Sequence, residues 1–143
     1  MTGVGASSPP EQDRGSVVVL ITDVFFSVTV RSTIRALGFE ALLVRSADTA
    51  CDHVGVDDVR LVVVDATAVR GPDEWQQLGE IDADGVPVLV FGPHKDVDRL
   101  RAAKEAGVTR VVANSQFHRE MAALIDRYAL RDAPAEGATN ESG

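Results

Sequence analysis

The chain has 143 residues, 45% of them hydrophobic and 25% charged, with a formal net charge of −8. That length suits one domain with a real core, and the proportions are those of an ordinary globular protein. The acidic balance gives no electrostatic pull toward phosphate backbones or anionic lipid, and no apolar run approaches the roughly 20 residues a membrane helix needs, so nucleic acid and membrane are poor partners.

Residues 1–15 are rich in Gly, Ser and Pro and lack periodicity, which predicts a flexible leader. They hold no basic start followed by an apolar block, so no secretory signal is expected. Val17-Val18-Val19-Leu20-Ile21 predicts the first strand. Phe26, Val30, Ile34 and Leu37 then fall at helical spacing, with Gly38 as the stop. Asp23 stands where it could cap that helix or ligate a metal. Of Phe25 and Phe26, one is expected in the core and the other over the crevice or against a partner. A second strand is predicted over residues 40–44 and a short helix over 47–54. Cys51 is the lone cysteine, which excludes an internal disulfide and points to a reducing, cytoplasmic setting. Cys51 and His53 make no metal pattern with His94 or His118.

The third apolar run, Leu61-Val62-Val63-Val64, ends in Asp65. A helix over 73–81 carries Trp75 and Leu78, with Pro72 near its first turn. The fourth strand is predicted over 86–91, with Pro87 at its start, where a strand tolerates it. A helix over 95–106 ends at Gly107, and a fifth strand follows over 108–113. Ser115 is the predicted cap of a last helix marked by Phe117, Met121, Leu124 and Tyr128. Residues 131–143 should be a disordered tail, leaving one domain over 16–130.

Strand runs without alternation are buried on both faces, which means a parallel sheet covered by helices. Five βα units with right-handed crossovers give a doubly wound, flavodoxin-like α/β sandwich with strand order 2-1-3-4-5. Its crevice lies at the carboxyl ends of strands one and three. Thr22, Asp23, Asp65, Thr67, Gly92, His94, Lys95 and Asn114 all fall at strand ends on that edge. The loop after strand one has no glycine, so neither a dinucleotide fingerprint nor a P-loop is present. Thr22, Ser27 and Thr29 are too scattered for a flavin phosphate cradle, and Asp52-His53 does not fit a cobalamin motif.

In the order and spacing of several motifs, residues 16–130 resemble the receiver domain of bacterial response regulators. Leu61-Val62-Val63-Val64-Asp65 looks like the receiver strand that ends in the phosphoacceptor aspartate, and Val86-Pro87-Val88-Leu89-Val90 like the strand after it. Ala106-Gly107-Val108 and Leu37-Gly38-Phe39 match two further signatures. The resemblance implies that Asp65 accepts phosphate and that Mg²⁺ is held by Asp65, the Thr67 carbonyl and an acidic pair. That pair should fall at Ile21 and Thr22, and Asp23 sits one residue late. The phosphoryl-binding hydroxyl falls on Gly92, the lysine on Asn114 and the aromatic switch on Val111.

Three functions follow. The first is a degenerate, non-enzymatic receiver in two-component or phosphorelay signalling that acts by protein–protein contact. Its surface would be the fourth helix, fifth strand and fifth helix, where Arg99, Arg101, Lys104, Arg110 and Arg119 would meet an acidic partner or support a homodimer. The second is a phospho-receiver with a rearranged Mg²⁺ site, using Asp65, Asp23 and Lys95. The third is a small-ligand binder using the same crevice.

Overall fold

The computed structural model describes residues 14–130. Five strands, β1 (Ser16–Leu20), β2 (Glu40–Val44), β3 (Val59–Asp65), β4 (Val88–Gly92) and β5 (Arg110–Ala113), form one parallel sheet. Its order is β2-β1-β3-β4-β5, the expected one. The helices are α1 (Val24–Ala36), α2 (Ala47–Val56), α3 (Pro72–Ala83), α4 (Val97–Ala106) and α5 (Asn114–Ala129). A single turn of 3-10 helix, Ala66–Ala68, follows β3.

The apolar runs lack alternation because the sheet has an apolar layer on each side. Val17, Val19, Leu61, Val63, Leu89 and Phe91 face one way, into a cluster with Ile34 of α1 and Phe117 and Ile125 of α5. Val18, Leu20, Val62, Val64, Val88 and Val90 face the other way, against Ala50 of α2, Trp75 and Leu78 of α3 and Ala103 of α4. On the first side Phe91 and Phe117 stack with centroids 4.2 Å apart, and Phe26 meets both edge-on. On the second side Gly79 of α3 lies against the end of α4.

Several boundaries differ from those expected, each for a local reason. The last helix begins at Asn114, with Ala113 at its N-cap and no capping side chain, so Ser115 lies inside it and is not the cap. Asp96 accepts from Arg99 N and starts α4, which leaves Lys95 in the turn before it. Val86 and Pro87 precede β4; Val86 N donates to Ile81 O, and Pro87 O accepts from Val62 N. α2 runs two residues past the expected end, to Val56. Arg14 and Gly15, assigned on sequence to the leader, join the fold: Arg14 donates to Leu37 O and lies over the Phe39 ring, and Gly15 O accepts from Glu40 N. The rest of the expected leader and tail falls outside the described residues.

Glu74 ties two segments together. Its Oε2 accepts from Ala47 N at 3.0 Å and its Oε1 from Arg70 N at 2.7 Å, so one carboxylate joins the start of α2 to the loop before α3. Burial pushes this carboxyl up, but the two amides and the Arg70 guanidinium outweigh burial and hold it below the ordinary 4.5. Glu74→Gln replaces one acceptor by a donor, and a buried amide without its acceptor costs about 1–3 kcal/mol. Urea unfolding at neutral pH should show that loss. The carboxyl titrates lower in the folded than in the unfolded chain. Its contribution is therefore complete above the unfolded value near 4.5 and disappears as pH falls through the folded value. Wild type and variant should converge in acid; a gap independent of pH would contradict this role.

Candidate functional site

The parallel register sets the strand ends level. Leu20 pairs with Val64, Asp65 with Phe91, and Gly92 with Ala113. Thr22, Asp23, Asp65, Gly92 and Asn114 therefore reach one edge of the sheet, as predicted, at the reversal of winding between β1 and β3.

The local chemistry of each residue there is now explicit. Asp23 Oδ1 accepts from Phe26 N at 3.1 Å, so it is the N-cap of α1. Phe26 faces inward, against Phe91 and Phe117 and stacked on the His118 ring at 4.3 Å. Phe25 points outward and is 88% exposed, so it does not fill the crevice. Asp65 is half-buried at the end of β3, and its Oδ1 accepts from both Thr67 N (2.9 Å) and Thr67 Oγ1 (2.7 Å). That closes a one-turn cap over Ala66–Ala68, the turn chemistry an aspartate before a short helix supplies.

Gly92 ends β4 and is buried. A Cβ at this position would stand 3.0 Å from Ala66 Cβ and 3.2 Å from Leu100 Cδ2. Apolar side chains of the β3–α3 turn and of α4 thus pack closely on this position, and a Cβ there would require them to give by a few tenths of an ångström. His94 and Lys95 are exposed in the β4–α4 turn. Among the described residues, no ion pair joins Lys95 to Asp65 or Asp23. Asn114 is the first residue of α5 and carries no charge; its Oδ1 is buried and unpartnered among the described residues.

The donor set is poor for Mg²⁺, which requires near-octahedral oxygen ligation. The acidic-pair positions hold Ile21, buried and apolar, and Thr22, exposed and uncharged. Among the described residues no three His, Cys, Asp or Glu groups are placed to hold a metal ion.

A cleft opens at this edge, displaced toward β2. Thr22 and Thr67 line it, and Asp65, Gly92, His94, Lys95 and Asn114 do not. Ser27 lines it too, and sequence reasoning missed its two charged residues, Arg45 and Arg70, which stand far apart in the chain and belong to no motif. On the opposite flank Arg110 is not the exposed cation expected: it is half-buried and donates to Tyr128 Oη at 3.0 Å.

A flavodoxin-like sheet with this order and this edge defines the class of fold. Within that class the resemblance is to receivers. The phosphorylated cyanobacterial phytochrome response regulator RcpA superposes with a TM-score of 0.68 at 11% identity, covering 84% of this chain and 98% of that one. The receiver domain of NtrX from Brucella abortus gives 0.62 at 23% identity, over 80% and 97% of the two chains. HP1043, an orphan response regulator of H. pylori, gives 0.62 at 19%, over 81% and 96%. No family model and no curated protein matches the sequence. At these identities the likeness is one of fold, and the chain has the receiver fold. No helix among the described residues is long and apolar enough to cross a membrane.

Proposed function

We propose that the chain is a degenerate receiver: a non-enzymatic protein-interaction module of two-component or phosphorelay signalling that does not depend on phosphorylation. The observation that carries this reading is the residue set at the crevice: buried Ile21 and uncharged Thr22 stand where the acidic pair belongs, Gly92 where the hydroxyl does and Asn114 where the lysine does. A donor aimed at developing charge is worth roughly 10²–10³ in rate. Here that donor is missing, the cation-bearing position holds Asn114, and Asp23 caps α1. Asp65 acts as the cap of the 3-10 turn.

The α4–β5–α5 face supports an acidic protein partner or a second copy of the chain. Arg99 and Arg119 are engaged by Asp96 and Glu120, whereas Arg101 and Lys104 are exposed and make no ion pair among the described residues. Exposed cations on a chain of net charge −8 steer it toward acidic partners through this face. A cytoplasmic setting fits the free thiol of Cys51, held up first by burial and then by Asp48 and other carboxylates nearby.

Incubation with Mg²⁺ and acetyl phosphate, followed by intact mass measurement, tests the reading. The expected result is an unchanged mass. Gain of a phosphoryl group, abolished by Asp65→Asn, would establish instead a working phospho-receiver with a rearranged site.

A further inference from the structure

We infer that the cleft beside β2 is a binding site for a small organic anion: a carboxylate or phosphate monoester on a compact apolar body. The cleft measures about 660 Å³, within the range of small-molecule sites. It lies between the first turns of α1, the ends of β1 and β2, and the loop after β3.

Its electrostatics run against those of the chain. The molecule carries 22 acidic residues, yet no aspartate or glutamate lines this cleft, and two arginines do. Arg45, after β2, is exposed and makes no hydrogen bond or ion pair among the described residues. Arg70 is 72% exposed, and its guanidinium reaches Glu74 only at 3.6 Å. The oxygens of Glu74 already accept from two backbone amides, so the Arg70 fork keeps donors for a further acceptor. Two arginines from separate elements on one cleft suit an oxyanion, whose oxygens a guanidinium binds in pairs. The Thr22 hydroxyl adds an uncommitted donor.

The other wall is apolar. Val24 and Leu43 line the cleft and remain 69% and 47% exposed, with Val28 beside them on α1 at 57%. Folding leaves these surfaces in water, and an apolar ligand body would cover them. Cation and apolar wall together select a molecule with both features over inorganic phosphate or a neutral aromatic. The site excludes Asp65, Gly92 and His94, so it stands or falls separately from the phosphorylation reading.

Amide NMR titration of the full chain with phenyl phosphate, benzoate, inorganic phosphate and benzyl alcohol tests this. Saturable shifts should centre on Thr22, Leu43, Arg45, Thr67 and Arg70 with phenyl phosphate or benzoate. Inorganic phosphate and benzyl alcohol should bind about tenfold or more weakly, as should the best anion to Arg45→Gln or Arg70→Gln, each of which removes a charged donor. Arg45→Gln should keep the wild-type urea midpoint, and Arg70→Gln, which also removes an exposed pair with Glu74, should lower it only slightly. Absence of saturation with both organic anions, shifts centred on Asp65 and His94, or affinity unchanged in both variants would overturn the site. Equal binding of inorganic phosphate would overturn its apolar half.

Discussion

Replacing Phe117 by alanine should lower stability by about 3–5 kcal/mol, the range for deleting a buried aromatic ring. Phe117 is fully buried, lies parallel to Phe91 at 4.2 Å with an interplanar angle of 4°, and receives the edge of Phe26 at 5.9 Å. Those neighbours stand on β4 and α1, and the main chain of a sheet interior cannot collapse into the space left behind. The cost therefore includes a cavity as well as lost transfer energy. Loss of the ring contacts adds about 0.5–1.5 kcal/mol for each aromatic pair. Urea unfolding followed by far-UV circular dichroism gives the number. A shift of less than about 1 kcal/mol, small beside the range for buried rings, would mean that α5 does not sit on the sheet as described. Phe117→Leu, which refills much of the volume, should recover part of the loss.

The second large effect has the opposite sign from the one a helix table suggests. Gly79 lies within α3, and glycine to alanine in a helix interior ordinarily gains about 1 kcal/mol. At this position an added Cβ would stand only 2.2 Å from the backbone oxygen of Ala106. The obstacle is main chain at the end of α4, next to the left-handed Gly107, so no side-chain rotation relieves it. Helix α3 or α4 must move outward, and overpacking of this kind costs about 1–3 kcal/mol and at times more. The clash outweighs the propensity gain, and Gly79→Ala should lower the unfolding midpoint. A raised midpoint would show that α3 and α4 are farther apart. Gly85 has a positive φ, unlike Gly79, and meets nothing within 4 Å of its added Cβ, so Gly85→Ala reports the conformational cost without the clash.

These two sites mark what the residues disclosed and what they did not. The strand order was legible because continuous valine runs such as 61–64 have one physical explanation, burial from both sides, and because each run was followed by helical spacing. Asp23 as a cap was legible from its place immediately before the first helix. The start of α5 was misread: Ser115 has the capping chemistry, but β5 passes directly into the helix with the N-cap two residues earlier, at Ala113, and no capping side chain. The approach of Gly79 to Ala106, the close packing of Ala66 and Leu100 on Gly92, and the place of Arg45 and Arg70 on one cleft are products of packing between elements. Local patterns carry no record of such distances. Chain order located the edge where chemistry could occur, and only the packed arrangement shows that its cleft lies toward β2, away from Asp65 and Gly92.

The sheet also acts as a partition. Neighbouring side chains on one strand enter different helical layers, so damage from Phe117→Ala and from Gly79→Ala falls in separate compartments with few shared neighbours. Their penalties should accordingly sum instead of compounding. The cleft beside β2 sits on the rim of this partition, lined by Ile21 from one layer and by Val44 and Ala68 from the other, so substitutions of its exposed walls leave the interior of both compartments untouched.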